Sequence, residues 1–345
     1  MILHCKITFG KLPDNYASLN KIKLVITMKK ISWLIIIILN SCLIFKLHAD
    51  QTTKDEKIIA QLRDQALKSN LAYKILESLT SEVGPRMAGT PQDKLAVEWG
   101  VAKLKALGFD KVWTEPVTFP TWVREEETAT LTSPYVQPLT ITALGFSVAT
   151  PESGIDAEVI HFESIEALIA APEDIAKDKI VFISRKMLRT RNGSGYGPAV
   201  VARGNGAVEA AKKGALAVVI RSIGTDSHRL PHTGMMRYQD GVKKIPAAAL
   251  SNPDADLLMR ILSRQQPVKM NLNLKTRNNG QYTSQNVIAE MTGSLWPEEK
   301  IIIGGHLDSW DLGTGAVDDG AGVAITVAAA KIIGDSAHRP KRTIR

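Results

Sequence analysis

Past residue 49 this chain has no cysteine. The 345-residue sequence holds two, Cys5 and Cys42, and both fall in its N-terminal leader. The body therefore has no disulfide, no thiolate metal ligand and no cysteine nucleophile. Any metal site in it must be built from histidine and carboxylates. Excess charge is also missing. The formal charge of +8 looks basic, but residues 1–49 hold seven lysines against Asp14 alone, and the remainder carries 36 Lys/Arg against 34 Asp/Glu. A net +2 leaves no basic stripe and excludes a nucleic-acid partner. Internal repeats and low-complexity runs are absent as well.

The leader itself has a recognisable layout. Met28-Lys29-Lys30 precedes the apolar run ISWLIIIILNSCLIF, then Lys46 and Leu47-His48-Ala49. A positive start, an apolar core and a small residue at the cut make a secretory signal peptide, with Met28 as the start. The core is short for a span of about 20 residues, so no stable membrane anchor is expected. Secretion, or export to a periplasm, follows from a cleaved signal.

What is present is concentrated in Ile301–Ile333. Ile301-Ile302-Ile303 reads as a buried strand ending at Gly304-Gly305. His306 and Asp308 follow, then a polar Gly-rich loop, then Asp318-Asp319-Gly320 and an Ala/Val/Ile helix. One imidazole and several carboxylates thus sit where a strand ends and a helix begins, the usual ligand crevice of an open α/β sheet. His306 can supply a neutral imidazole to a metal, and Asp308 can take the other ring N–H and fix the tautomer. Asp318, twelve residues after His306, can bridge two ions. Taken alone, a lone H-x-D reads as a surface pair and Asp318-Asp319 as a helix N-cap. The order strand, GGHLDSW, DDGAG is more specific.

That segment, with SEVGPRMAGT (81–90) and PHTGMMRYQDGVKKIP (231–246), resembles the M28 metallopeptidases, the co-catalytic zinc aminopeptidases and carboxypeptidases. The resemblance runs from about Asp50 to the end. It implies His306 and Asp318 as zinc ligands, Asp318 bridging both ions, Asp308 as the catalytic orienting carboxylate, and a cis Asp318–Asp319 peptide. It implies two Zn2+ per complete site, a short peptide as substrate, and a possible homodimer. The family carries a Glu-Glu pair further along, then an Asp and a His ligand. Arg345 is reached before that pair. The expectation is a C-terminally truncated chain without the general base, with an inactive fragment or non-enzymatic binding module as the alternative.

The expected fold is α/β, an incomplete zinc-exopeptidase mixed-sheet domain interrupted by a small β-rich protease-associated domain. Its divisions are a leader at 1–49, a first peptidase part at 50–133, the insert at 134–274 and the continued peptidase domain at 275–345. Asp50–Leu79 reads as helix, as does the segment opened by Pro91 and closed by Gly108. Asp110–Thr118 alternates like a strand. Short strands follow at 139–143, 158–162, 179–184, 217–221 and 268–274, with a helix at 207–213. Two decoys lie among them. Gly204-Asn205-Gly206 places Glu209 where a dinucleotide fingerprint needs glycine. His228 and His232 are separated by Pro231, which argues against one helical face, so both read as loop residues.

Overall fold

The computed structural model describes residues 54–345 except 233. The signal-peptide reading therefore lies outside the described residues. By packing, the described residues form two compact units, 54–70 with Ile332–Pro340 and Leu71–Lys331 with Lys341–Arg345. Among the described residues the first unit holds a helix over 54–68 (α1). No helix of the described residues is long and apolar enough to cross a membrane.

The second unit opens with α2 (Leu71–Ser78). The single helix expected over Asp50–Leu79 is thus two, parted at Ser69-Asn70. Next comes α3 (Pro91–Ala106), with Pro91 in its first turn and the Thr90 hydroxyl accepting from the Asp93 N–H. Thr90 satisfies one of the free N–H groups of the first turn, and Pro91 has none to satisfy. Gly108 closes the helix at φ +75°. Ile75 of α2 packs with Ala324 and Ala328 of α7 (Ala321–Gly334), and Trp99 of α3 leans on the same cluster.

The backbone of this unit is a ribbon of two long antiparallel strands, β1 (Lys111–Ser133) and β8 (Lys269–Glu290). Register shifts at Pro120/Trp122, Arg124/Glu127 and Leu131/Ser133 interrupt the pairing. Such bulges bend a ribbon and re-aim its side chains. Between the two strands the chain lays down β2 (Gln137–Leu139), β3 (Ile141–Ala143), β4 (Ile155–Phe162), β5 (Ile180–Ile183), β6 (Ala217–Arg221) and β7 (Ala247–Leu250). The sheet order is β2-β1-β8-β4-β5-β6-β7-β3, with β4 to β7 mutually parallel. Their crossovers include α4 (Ile165–Ala170), α5 (Tyr196–Lys212) and, after β7, α6 (Asn252–Leu262). Every residue of β5, β6 and β7 is buried. Strands covered on both faces read as unbroken apolar runs, as IVFI of β5 and the AVVI of β6 do.

Two local expectations change. The helix read at 207–213 begins at Tyr196, and Gly204-Asn205-Gly206 lies inside it. Its glycines and Pro198 lower intrinsic propensity, and packing of Ala199, Ala202 and Ala210 against the sheet overrides that. The apolar run 301–303 is not a buried strand. Strand β9 (Trp296–Ile301) is exposed throughout and stops at Ile301, and Ile302 is 73% exposed. Strand β10 (Arg342–Ile344) pairs with it in parallel along one edge. Among the described residues nothing closes over the faces of 301–303, so apolar sequence alone does not bury them.

Candidate metal centre

The segment after β9 has no regular structure until residue 316. It is shaped by hydrogen bonds, and they bring the three sequence-predicted residues together. The His306 Nε2 atom lies 2.8 Å from Asp318 Oδ1. Its Nδ1 lies 3.1 Å from Asp308 Oδ1 and 3.0 Å from the Asp308 carbonyl. The His306 backbone N–H donates to Asp319 Oδ2 at 3.2 Å. Asp319, readable as an N-cap, therefore spends its carboxylate on the loop. The Asp318–Asp319 peptide is cis.

Both ring nitrogens of His306 face acceptors, an arrangement that a doubly protonated imidazolium satisfies and a neutral ring does not. Burial works against that charge. The Asp318 hydrogen bond and the Asp308 carboxylate outweigh it and hold the His306 pKa above its ordinary value. In the neutral tautomer, Nδ1–H donates to Asp308 and the Nε2 lone pair is left facing Asp318. A divalent ion between Nε2 and Oδ1 would stand in place of a proton. Tetrahedral zinc with bonds of about 2.0–2.2 Å holds two ligand atoms roughly 3.3 Å apart. The observed 2.8 Å is within about half an ångström of that, so the pair fits two positions of such a site. Among the described residues no group of three or more His, Cys, Asp or Glu side chains has metal-holding geometry. Asp318 is 78% exposed at its side chain, so the approach is open to solvent.

The loop carrying these residues is fastened by Arg86, which is 0% exposed. Its Nε donates to the Leu307 carbonyl at 2.5 Å, one Nη to the carbonyls of Gly84 and Thr314, and the other to that of Gly315 at 3.2 Å. The Arg86 N–H donates to Ser309 Oγ, and the Ser309 N–H returns to the Arg86 carbonyl. Burial pushes the Arg86 pKa down, and the Asp308 carboxylate resists. Gly315 has φ +57°, and a Cβ there would lie 2.3 Å from Ser309 Cβ. Only glycine meets both conditions without strain.

Further along the loop, Arg124 Nε donates to Asp311 Oδ2 at 2.8 Å while the guanidinium stacks on Trp122 and Trp310. The edge of Trp310 occupies the place a Cβ of Gly145 would take, 2.3 Å away. Trp310 is thereby tied to the 134–274 region through Gly145, and Asp311 to β1 through Arg124. Neither Arg86 nor Arg124 emerges as a site residue from the sequence. Arg86 lies in the GPR turn of SEVGPRMAGT, but nothing local marks an arginine that will be buried among distant carbonyls. His228 and His232 are loop residues, as read.

A cavity of about 640 Å³ adjoins the site, lined among others by Trp99, Val287, Ile302, Ile303, His306 and Asp308. Asp318 is not part of its wall, so the cavity neighbours the ligand pair and does not contain it.

Comparison with known proteins bears on this geometry. The family model of peptidase family M28 matches residues 286–345. Carboxypeptidase Q of Bos taurus is 40% identical over 289 residues, 84% of this chain, and the Homo sapiens protein is 39% identical over the same length. The chain spans about 60% of the length of these relatives. A crystal structure of a peptidase M28 precursor from Shewanella amazonensis is 53% identical, with a TM-score of 0.83 covering 85% of this chain and 66% of that one. BSAP, a zinc aminopeptidase from Bacillus subtilis, superposes with a TM-score of 0.55 over 80% of this chain and 60% of its own, and at 22% identity speaks to fold alone. The mixed α/β sheet is that of the zinc exopeptidases. With His306, Asp308 and Asp318 gathered where strand gives way to helix, and with these likenesses along most of its length, the chain belongs to peptidase family M28.

Proposed function

We propose that this chain carries part of the catalytic apparatus of a secreted, two-zinc exopeptidase that hydrolyses short peptides. One observation carries it: His306 Nε2 and Asp318 Oδ1 face each other at 2.8 Å, with Asp308 on the other ring nitrogen. His306 and Asp318 would hold zinc, with Asp318 bridging two ions. Bound zinc would polarise the scissile carbonyl and lower the pKa of a water. Asp308 keeps the His306 ring in the tautomer that presents Nε2, and Arg86 holds the backbone on which both stand. The carboxypeptidase Q relatives and the peptidase M28 precursor of Shewanella amazonensis support peptidase chemistry.

Residues 134–274 are, in this proposal, a protease-associated domain inserted between peptidase parts at 50–133 and 275–345. The Trp310–Gly145 contact, which ties it to the site loop, supports a role in screening substrates by size. A homodimer is proposed as the assembly.

The test is zinc titration of the purified chain combined with dipeptide hydrolysis. Zinc uptake that is lost in both His306→Ala and Asp318→Ala is the expected result. A second possibility, a non-catalytic binding chain, is favoured by the absence of any larger metal-holding group among the described residues. Zinc uptake without turnover would select it, and no zinc uptake would reject both.

A further inference from the structure

Two buried side-chain oxygens beyond β6 and β7 have nothing to accept from. Asp226 Oδ1 and Asn252 Oδ1 make no hydrogen bond among the described residues. Asn252 as a whole is 3% exposed. His228 Nδ1 comes within 3.4 Å of Asp226 Oδ1. That nitrogen accepts the Leu230 N–H at 3.2 Å, so it holds no proton to give. A buried acceptor left with neither a donor nor a cation is unfavourable.

The other end of the Asn252 amide is crowded with oxygen. Its Nδ2 lies 3.4 Å from the Gly224 carbonyl, 3.4 Å from the Asp226 carbonyl and 3.5 Å from Asp226 Oδ2. Two N–H bonds do not serve three acceptors, and each contact is at the long limit of a hydrogen bond. Gly224 lets the carboxylate fold back over the loop, since a Cβ there would lie 2.5 Å from Asp226 Oδ2. Oxygens at this spacing match the shell of a hard cation. Ligands about 2.4 Å from calcium and at right angles stand about 3.4 Å apart. A half-turn of the amide keeps its shape and puts Oδ1 at the shared corner as a fourth oxygen.

The segments meet because β6 and β7 are adjacent and parallel. Gly224 and Asp226 follow the carboxyl end of β6, and Asn252 follows that of β7. In open α/β sheets that crevice takes ligands. The Asp226 side chain is 28% exposed, so water can complete a shell.

We propose that Gly224, Asp226 and Asn252 form a calcium site in the 134–274 region, distinct in its ligands from the His306–Asp318 pair. One carboxylate, two carbonyls and an amide suit a hard cation and not zinc. A single carboxylate takes part and the N-terminus of α6 opposes a cation, which sets the dissociation constant at about 1 mM. Filling the site ties the loop after β6 to α6. That loop runs on to Gly234, whose carbonyl accepts from Gly145, the residue against which Trp310 packs.

Thermal melts of the chelator-treated full chain in CaCl2, MgCl2 and NaCl at matched ionic strength test it. In about 10 mM calcium a Tm rise of about 2–3 °C is expected. Magnesium, which sheds its water reluctantly, should give less, and sodium none. Asp226→Ala should abolish the rise. Asn252→Asp adds a second carboxylate and should lower the calcium concentration at half effect about tenfold; a side chain that served only as a hydrogen-bond donor would give no such gain. Asp318→Ala should keep the rise, which separates this site from the proposed zinc pair. No calcium response, an equal response in sodium or magnesium, loss of the rise in Asp318→Ala, or its survival in folded Asp226→Ala would overturn the assignment. Should Asp226→Ala not fold, Asn252→Asp decides alone, and an unchanged or weakened calcium dependence there overturns it.

Discussion

The guanidinium of Arg86 donates to the carbonyl of Leu307, a residue 221 positions further along the chain, at 2.5 Å. Leu307 stands between His306 and Asp308, so this bond fixes the backbone between the proposed ligand and its orienting carboxylate. The same side chain reaches Thr314 and Gly315, just before Asp318. One buried cation thus sets the path by which residues twelve apart come to share a proton.

Arg86→Met should therefore act on the site without touching a ligand. It removes donors to the carbonyls of Leu307, Thr314 and Gly315; Gly315 keeps the N–H of Gly320, and the other two part-buried acceptors lose their donor. A loss of about 3 kcal/mol is expected, in the range seen when one partner of a buried charged network is deleted. Urea unfolding measures it, and zinc titration should show weakened uptake at His306 and Asp318. Full stability in the variant would remove Arg86 from its fastening role.

Gly315→Ala probes the same loop from the backbone. A side chain at φ +57° is strained by about 1–3 kcal/mol, and its Cβ meets Ser309. A lowered Tm is expected, together with a weaker metal site. Gly313→Ala, where a Cβ meets nothing, is the control that should leave both unchanged.

In the metal-free chain the His306 ring should titrate above 6.5, because Asp318 and Asp308 outweigh the burial that opposes its charge. Its folded pKa is raised, so the stability from this pairing is fully present below the unfolded value and lost as pH rises through the folded one. NMR of the His306 ring measures the shift. Asp318→Asn should bring it down, and a ring titrating at 6.5 or lower in the unmodified chain would contradict the geometry.

Asp256 offers an acid-side test away from the site. Its hydrogen bond to Arg221 comes first among the causes, burial opposes it, and Lys186 assists, so the pKa falls to about 2. A depressed carboxylate contributes stability above its unfolded value of 3.8, and that contribution disappears as pH falls from there to about 2. Because Asp256 is 37% exposed, solvent screens the pair and the effect is modest. Asp256→Asn should flatten this limb of the stability–pH curve, as measured by thermal melts between pH 2 and 5.

Much of this was legible in the residues themselves. Thr90-Pro91 and Gly108 bound a helix because capping and φ preferences are local. IVFI and AVVIR read as strands because covered strands need no polar alternation. His306, Asp308 and Asp318 stood out because their spacing crosses one loop between a strand and a helix. The exposed 301–303 run was not legible, since burial depends on what lies above a side chain and not on its hydrophobicity alone. Nor was α5 before residue 207, whose glycines and proline argue against a helix that the sheet nonetheless holds.

By itself, then, the sequence determined which chemistry was possible. With no cysteine past residue 49, only imidazole and carboxylate remain to bind a metal, and short-range spacing put both at one turn. The tertiary structure alone decided which distant groups serve that turn: Arg86 beneath it and Arg124 beside it. Capping, spacing and covalent composition act over a few residues. The desolvation of a cation depends on segments that meet only when the chain has folded.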